Sequence, residues 1–371
     1  MRIVEDYTKY TDYEVKAREK LLPRVKEAVD KILTPENKKK YLSVLKTTKI
    51  VFGASIISLF LAIILIIAFS RGNGGATFVI GIIFLAITAI LTIITILYYL
   101  KTMKEKRALK SMIVNLLDQD TLYKEAYDLL DDSMDYISKE RCDEIGHLYF
   151  KNCEIKRSEM HKYRCTVPPE ASIHKITQPR YVLIDKKYPA SLQNIMWREV
   201  IRRNKNYDEE KFYYTGLMKI DTRALGDKAM RFTLLNGMLS NKIGKFFRKI
   251  VGLDDGLKLI NLENKEFVKI FQFRAQNEIK ARMMYTPLSM EISLKRFFDR
   301  TGVKIRGLSV ISDGASIYFE YEVDFGFMFL DLPFSIKSKE RVIQSIYKDL
   351  LLDTYSLYYM LSLMYIPIYL Q

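Results

Sequence analysis

Two blocks of sequence, 50–70 and 76–100, contain no Asp, Glu, Lys, Arg or His, and only Arg71-Gly72-Asn73-Gly74-Gly75 separates them. A helix rises 1.5 Å per residue, so the shorter block reaches about 30 Å, the thickness of a bilayer's hydrocarbon core. The expected element is a transmembrane helical hairpin with a tight glycine-rich turn. Forty-nine residues precede the first block, far more than the basic leader of a cleaved signal peptide, although Ala68-Phe69-Ser70 resembles a cleavage site. An uncleaved anchor is the expected reading.

Basic residues near the ends of the spans set the orientation. Lys38, Lys39, Lys40, Lys46 and Lys49 precede the first block, and Lys101, Lys104, Lys106, Arg107 and Lys110 follow the second. The turn has Arg71 alone. Both termini, and the large region after residue 100, are therefore expected in the cytoplasm. The three cysteines, Cys142, Cys153 and Cys165, fall in that region, where thiols stay reduced. Ion or proton transport is a poorer reading, because such pathways use intramembrane charged groups.

The formal charge of +15 invites a nucleic-acid reading until it is located. Residues 1–49 carry thirteen basic and eight acidic side chains, and residues 50–110 carry six and one. Two thirds of the excess therefore lies in or beside the anchor, where anionic lipid of the inner leaflet attracts it. The expected partners are the membrane itself and a protein not identified by the sequence, with a homo-oligomer as a further possibility; nucleic acid is disfavoured. A second basic cluster, with Lys242, Lys245, Arg248 and Lys249 interleaved with Phe246 and Phe247, is a candidate for lipid or partner binding.

Within the hairpin, Ala54, Ser58 and Ala62 on the first helix and Thr88, Thr92 and Thr95 on the second form small and hydroxyl stripes expected to face each other. The sequence divides into a helical arm (1–49), the hairpin (50–100, spans 50–70 and 76–100), a juxtamembrane helical segment (101–140) and an α+β domain (141–371). In the arm, Leu22, Val25, Val29 and Ile32 make a helical seam, with Pro23 in its first turn or at a kink. After the hairpin, Leu109, Met112, Ile113, Leu116 and Leu117 continue a helical face that extends through Leu122, Ala126, Leu129 and Leu130 to Ile137.

Strands are expected over 180–184, 212–220, 230–235 and 257–262, and a hairpin over 303–325 around Asp313-Gly314. Thr286-Pro287 is a helix start, with Gly302 as its stop. A last helix begins near Ser338. Its end, 354–370, is apolar but rich in Tyr and contains Pro367, so a packed or interfacial helix is expected rather than a third span. The fold class is an α+β cytosolic domain attached to a two-helix transmembrane hairpin.

The stretch 211–333 resembles a family of bacterial membrane proteins known as domain of unknown function (DUF) 3137. The likeness is carried by Phe212-Tyr213-Tyr214-Thr215-Gly216-Leu217 and by Glu266-Phe267, Phe271, Ala281-Arg282-Met283-Met284-Tyr285-Thr286-Pro287 and Met290. The family's usual Tyr is replaced by Met283. The resemblance implies a bacterial plasma-membrane location and two spans ahead of the domain, and it implies no activity. Arg282 is the residue of the motif most worth testing, a candidate partner-binding group or an internal salt bridge or helix cap holding the Thr-Pro turn.

Few residues suggest chemistry. Cys142, His147, Cys153, His161, Cys165 and His174 cluster in sequence, and these side chains ligate zinc, but no Cys-x-x-Cys or His-x-x-x-His spacing occurs. A membrane-associated metal-dependent enzyme or sensor is the alternative they carry. Glu320, Glu322 and Asp324 alternate along one strand face, expected to be its wet side. No phosphate-binding loop, nucleophile elbow or kinase signature is present. No catalytic residue and no cofactor is assigned, and a non-enzymatic interaction or scaffold module is the leading expectation.

Overall fold

The computed structural model describes residues 7–369 apart from 71–73, 132, 146, 205–206, 237–255, 331, 334–335 and 337. The chain forms two compact units. One comprises 1–22, 119–331 and 347–371, and the other 23–118 and 332–346.

The second unit is built on α2 (Pro35–Ser70) and α3 (Gly74–Leu117). Thr34 accepts a hydrogen bond from Asn37 N at 3.2 Å and Pro35 occupies the first helical position, so α2 begins well before its apolar block. Both helices therefore continue about ten or more residues beyond the apolar stretch. Serine and threonine hydroxyls join them: Ser58 to Thr88 at 2.8 Å, Ser55 to Thr92 at 3.0 Å and Thr48 to Thr102 at 2.9 Å. At about 0.6 kcal/mol each between apolar helices, bonds of this kind fix register more than they drive association. Close packing contributes the rest. Ala62 is fully buried, and a Cβ on Gly81 would meet Ile66 Cγ1 at 3.1 Å.

The stripe differs in detail from expectation. Ala54 faces outward and Ser55 takes its place, while Thr95 returns its hydroxyl to the Leu91 carbonyl. The seam follows a seven-residue repeat, Thr48, Ser55 and Ala62 against Gly81, Thr88, Thr95 and Thr102, as in a left-handed helix pair. Leu109, Ile113 and Leu117 are buried in continuation, whereas Met112 and Leu116 are exposed. Asp118, in the left-handed region with φ 47°, ends the helix.

Helix α1 (Tyr10–Ile32) contains Pro23 in its interior rather than its first turn. Val25 and Val29 are buried as expected, but the seam uses Leu21 and Leu33, not Leu22 and Ile32.

The larger unit holds an antiparallel sheet with the strand order β1-β3-β4-β5-β10-β9-β6-β8-β7, and β2 pairs with β4. The strands are β1 (Met134–Ile137), β2 (Ser172–Ile176), β3 (Arg180–Ile184), β4 (Tyr188–Asn204), β5 (Tyr207–Asp221), β6 (Arg231–Asn236), β7 (Lys258–Leu259), β8 (Phe271–Ala275), β9 (Leu308–Asp313) and β10 (Ser316–Glu322). Ile137 thus ends a strand, not the helical face that finishes with α4 (Gln119–Leu130). The long β4 was obscured in the sequence by Pro189, which sits opposite Leu183 near the start of the strand. Between β1 and β2 lie three short helices, α5 (Lys139–Ile145), α6 (His147–Phe150) and α7 (Arg157–Lys162).

Strand β10 lies between β5 and β9, and its residues from Ser316 to Tyr321 are buried on both faces. Glu320 is consequently 2% exposed and departs from the wet face expected of it, whereas Glu322 is half-buried and Asp324 exposed. Alternation reports a solvated face only where one side of a sheet meets water. Tyr321 crosses Gly216 of β5, and Trp197 Nε1 donates to Thr215 Oγ1 at 2.9 Å.

The final helices are α8 (Lys265–Ile270), α9 (Glu278–Met284), α10 (Pro287–Phe298) and α11 (Lys339–Tyr369), the last contributing to the larger unit from Tyr347 onward. Thr286 caps α10 by accepting from Ser289 N at 3.3 Å, as its Thr-Pro start predicts. Every residue of α11 from Asp353 to Leu363 is buried, so this apolar helix is core.

A Cβ on Gly216 would lie 2.1 Å from the Tyr321 ring. Replacing Gly216 by Ala is expected to cost about 2 kcal/mol or more through overpacking at the sheet centre. Urea unfolding of the purified protein checks this, and an unchanged midpoint would contradict the Gly216–Tyr321 approach.

Candidate functional site

Of the residues that carry the family resemblance, Phe212–Leu217 lie on β5 and those from Glu266 to Met290 fold into one corner of the larger unit. Asn264 starts α8 by accepting from Phe267 N at 3.0 Å, and Asn277 starts α9 by accepting from Lys280 N at 3.0 Å. Phe267 packs against Phe271 and Tyr285, each with ring centroids 4.9 Å apart, and Phe273 meets Tyr285 edge-on. Ala281 and Met290 are fully buried. Arg282 is partly exposed beside this core. Its guanidinium donates to Glu278 at 2.9 Å, to Glu263 at 2.8 Å and to the Asn261 carbonyl at 3.0 Å. The side chain thus ties α9 to the segment before α8, the internal role anticipated as its alternative.

The other face of α9 borders a cavity of about 460 Å³. Met230, Phe232, Met284 and Ile317 form its buried wall, and Met283, Lys280 and the 3-10 turn Arg223–Lys228 rim it. Lys280 Nζ donates to the Asp227 carbonyl across the rim. A second, more polar cavity of about 310 Å³ is lined by Thr166, Tyr213, Lys304, Arg306, Glu322 and Asp324 among others. Volumes of this order suit small ligands. Sequence spacing gave no sign of either cavity, because their walls come from distant segments brought together by the sheet.

The described Cys and His side chains of the sequence cluster fall into separate surroundings. Cys142 and Cys153 belong to one apolar cluster with Ile137 and Phe150, while Cys165 lies in another with Met160 and Trp197. Burial raises the Cys153 thiol to about 12, leaving it protonated at neutral pH. His161 sits edge-on to Trp197 and His174 edge-on to Phe212. His147 begins α6. Among the described residues, no group of three or more His, Cys, Asp and Glu is arranged to hold a metal. The basic cluster Lys242, Lys245, Phe246, Phe247, Arg248 and Lys249 lies outside the described residues.

Among the described residues, sequence reading missed three ionisable side chains left with 2% exposure or less. Asp353 is fully buried and accepts from Lys304 Nζ, Tyr123 OH and Met328 N, each at 2.9 Å. Burial, with Asp349 nearby, pushes its pKa up to about 7, against the pull of Lys304. Arg296 is fully buried, donates to Ser362 at 2.7 Å and Tyr355 at 3.0 Å, and stands 4.1 Å from the centre of the Tyr7 ring. Glu320 accepts from Thr166 Oγ1 at 2.6 Å, and burial raises it to about 7 despite that bond.

No protein-family model, curated protein or solved structure matches this chain. What the corner around α9 can do follows from its own chemistry: it offers an apolar cavity with a cationic rim.

Because the folded pKa of Glu320 lies above the ordinary 4.5, the native state binds that proton more tightly than the unfolded chain. Its contribution to stability is present below pH 4.5 and is lost as pH rises to about 7. The Glu320→Gln variant is expected to match the parent near pH 4 and exceed it by roughly 3 kcal/mol at pH 8. Thermal or urea unfolding across that range checks the sign, and a pH-independent difference would contradict it.

Proposed function

We propose that this is an integral protein of the bacterial plasma membrane whose helical hairpin tethers a non-enzymatic α+β interaction module at the cytoplasmic face. The observation that carries the reading is the state of the two long helices. Both are long and apolar enough to cross a membrane, at mean hydropathies of 3.0 and 2.9 in their most apolar windows, and only 17% and 11% of those windows are buried. Ser55, Ser58, Thr48 and their threonine partners bond across the pair, while many Ile, Leu and Phe side chains turn outward. Ile57, Phe60, Ile93 and Leu97 are each about 60% exposed. In water such a surface would aggregate; in lipid it is the solvated face.

Basic residues at both outer ends of the spans support a cytoplasmic location for the termini and the larger unit. The resemblance to the DUF3137 family supports the same bacterial inner-membrane arrangement. The module would bind a protein partner or anionic lipid, with the basic segment 241–252 as one contact. Arg282, committed to internal carboxylates, is the weaker candidate.

The reading predicts that the protein stays in the pellet after alkaline carbonate extraction. With the buried native cysteines left in place, Asn73→Cys should react with a membrane-impermeant maleimide in intact cells. Lys151→Cys should react only after permeabilisation. Extraction into the soluble fraction would overturn the anchor, and the reverse labelling pattern would overturn the orientation.

A further inference from the structure

We propose that the cavity beside α9 is a binding site for a long-chain carboxylate, a single-tailed anionic amphiphile, with its tail inside and its headgroup at the lysine rim. The inference goes beyond the anchoring role and does not depend on it.

The cavity's depth is apolar. Met230, Phe232, Met284 and Ile317 are each less than a tenth exposed and line it together. Of the three hydroxyls that line it, Ser312 donates to the Met230 carbonyl at 2.8 Å, Thr286 accepts from Ser289 N, and Thr222 is 4% exposed. A polar ligand group set against the Met, Phe and Ile wall would be desolvated, whereas methylenes would lose nothing. Methionine suits such a wall because its unbranched, polarizable side chain adapts to a tail of variable length. At about 460 Å³ the space falls within the range of small-molecule sites.

The rim supplies the headgroup chemistry. Lys228 is exposed at the end of the 3-10 turn, and Lys280 approaches from α9. Lys280 uses one proton on the Asp227 carbonyl, and an ammonium has three donors, so two remain for a carboxylate. The Asp227 side chain is the one acidic group lining the cavity, so the rim carries one net positive charge. That balance fits a monoanion. It disfavours a cationic headgroup, and a neutral alcohol would leave the charge unused.

Met283 is 58% exposed at the entrance, so enlarging it should occlude the cavity without disturbing the core. The test uses the full chain in lipid nanodiscs with hexadecanoic acid carrying a diazirine at its tail end, and maps adducts by mass spectrometry. The alcohol of the same length serves as the control for bilayer partitioning. The proposal expects adducts on peptides bearing Phe232 or Met284, competed by unlabelled hexadecanoic acid. Met283→Trp should reduce them at least tenfold. The acid should label at least fivefold more than the alcohol, and Lys228→Gln with Lys280→Gln should close that gap. Adducts confined to the 50–100 segment, equal labelling by acid and alcohol, or no effect of Met283→Trp would each overturn it. The carbonate and maleimide measurements read the anchor separately, so either idea can fail alone.

Discussion

The larger unit depends on how α11 is held in its core. A helix buried on all sides is easily satisfied along its backbone and poorly specified in rotation or register, because apolar contacts have no direction. Four polar groups resolve this. Tyr13 shares a 2.7 Å hydrogen bond with Thr354, Asp353 gathers Lys304, Tyr123 and Met328 N, Ser356 accepts from Lys304 N at 2.7 Å, and Ser362 accepts from Arg296. These partners come from α1, α4, the segments flanking β9 and β10, and α10. One helix therefore indexes elements separated by up to 341 residues in sequence. A buried ion pair adds little net stability against an apolar replacement, while loss of one partner is severe; its use here is to fix one arrangement.

Much of this was legible from residues and some was not. The Thr286-Pro287 cap, the β3 segment and the Asp313-Gly314 turn depend on local chemistry, and each appears where the sequence placed it. The hairpin helices were legible because no charged residue interrupts 50–70 or 76–100, and their hydroxyl seam was legible to within one position, Ser55 in place of Ala54. Glu320 was misread because alternation along a strand cannot say whether both faces are covered; only the position of β10 inside the sheet decides that. The length of β4 was hidden by a proline that the strand tolerates near its start. The α9 cavity left no trace, since Phe232, Met284 and Ile317 meet through sheet topology rather than spacing.

The same distinction separates α11 from α2 and α3, although all three are long and apolar. Their surroundings differ. The most apolar windows of α2 and α3 are mostly uncovered, and Ser55, Ser58, Thr88 and Thr92 bond across one seam. In α11 polar groups project in several directions and each meets a protein partner. Distribution of polar residues around a helix, rather than mean hydropathy, tells a span from a core helix.

Hydrogen–deuterium exchange along α11 tests this account most directly. If polar contacts from four sides lock the helix into the unit, amides of 350–363 exchange only with global unfolding, together with those of β5 and β10. Exchange of that helix through local opening, ahead of the central strands, would contradict its role as the element on which the unit is assembled.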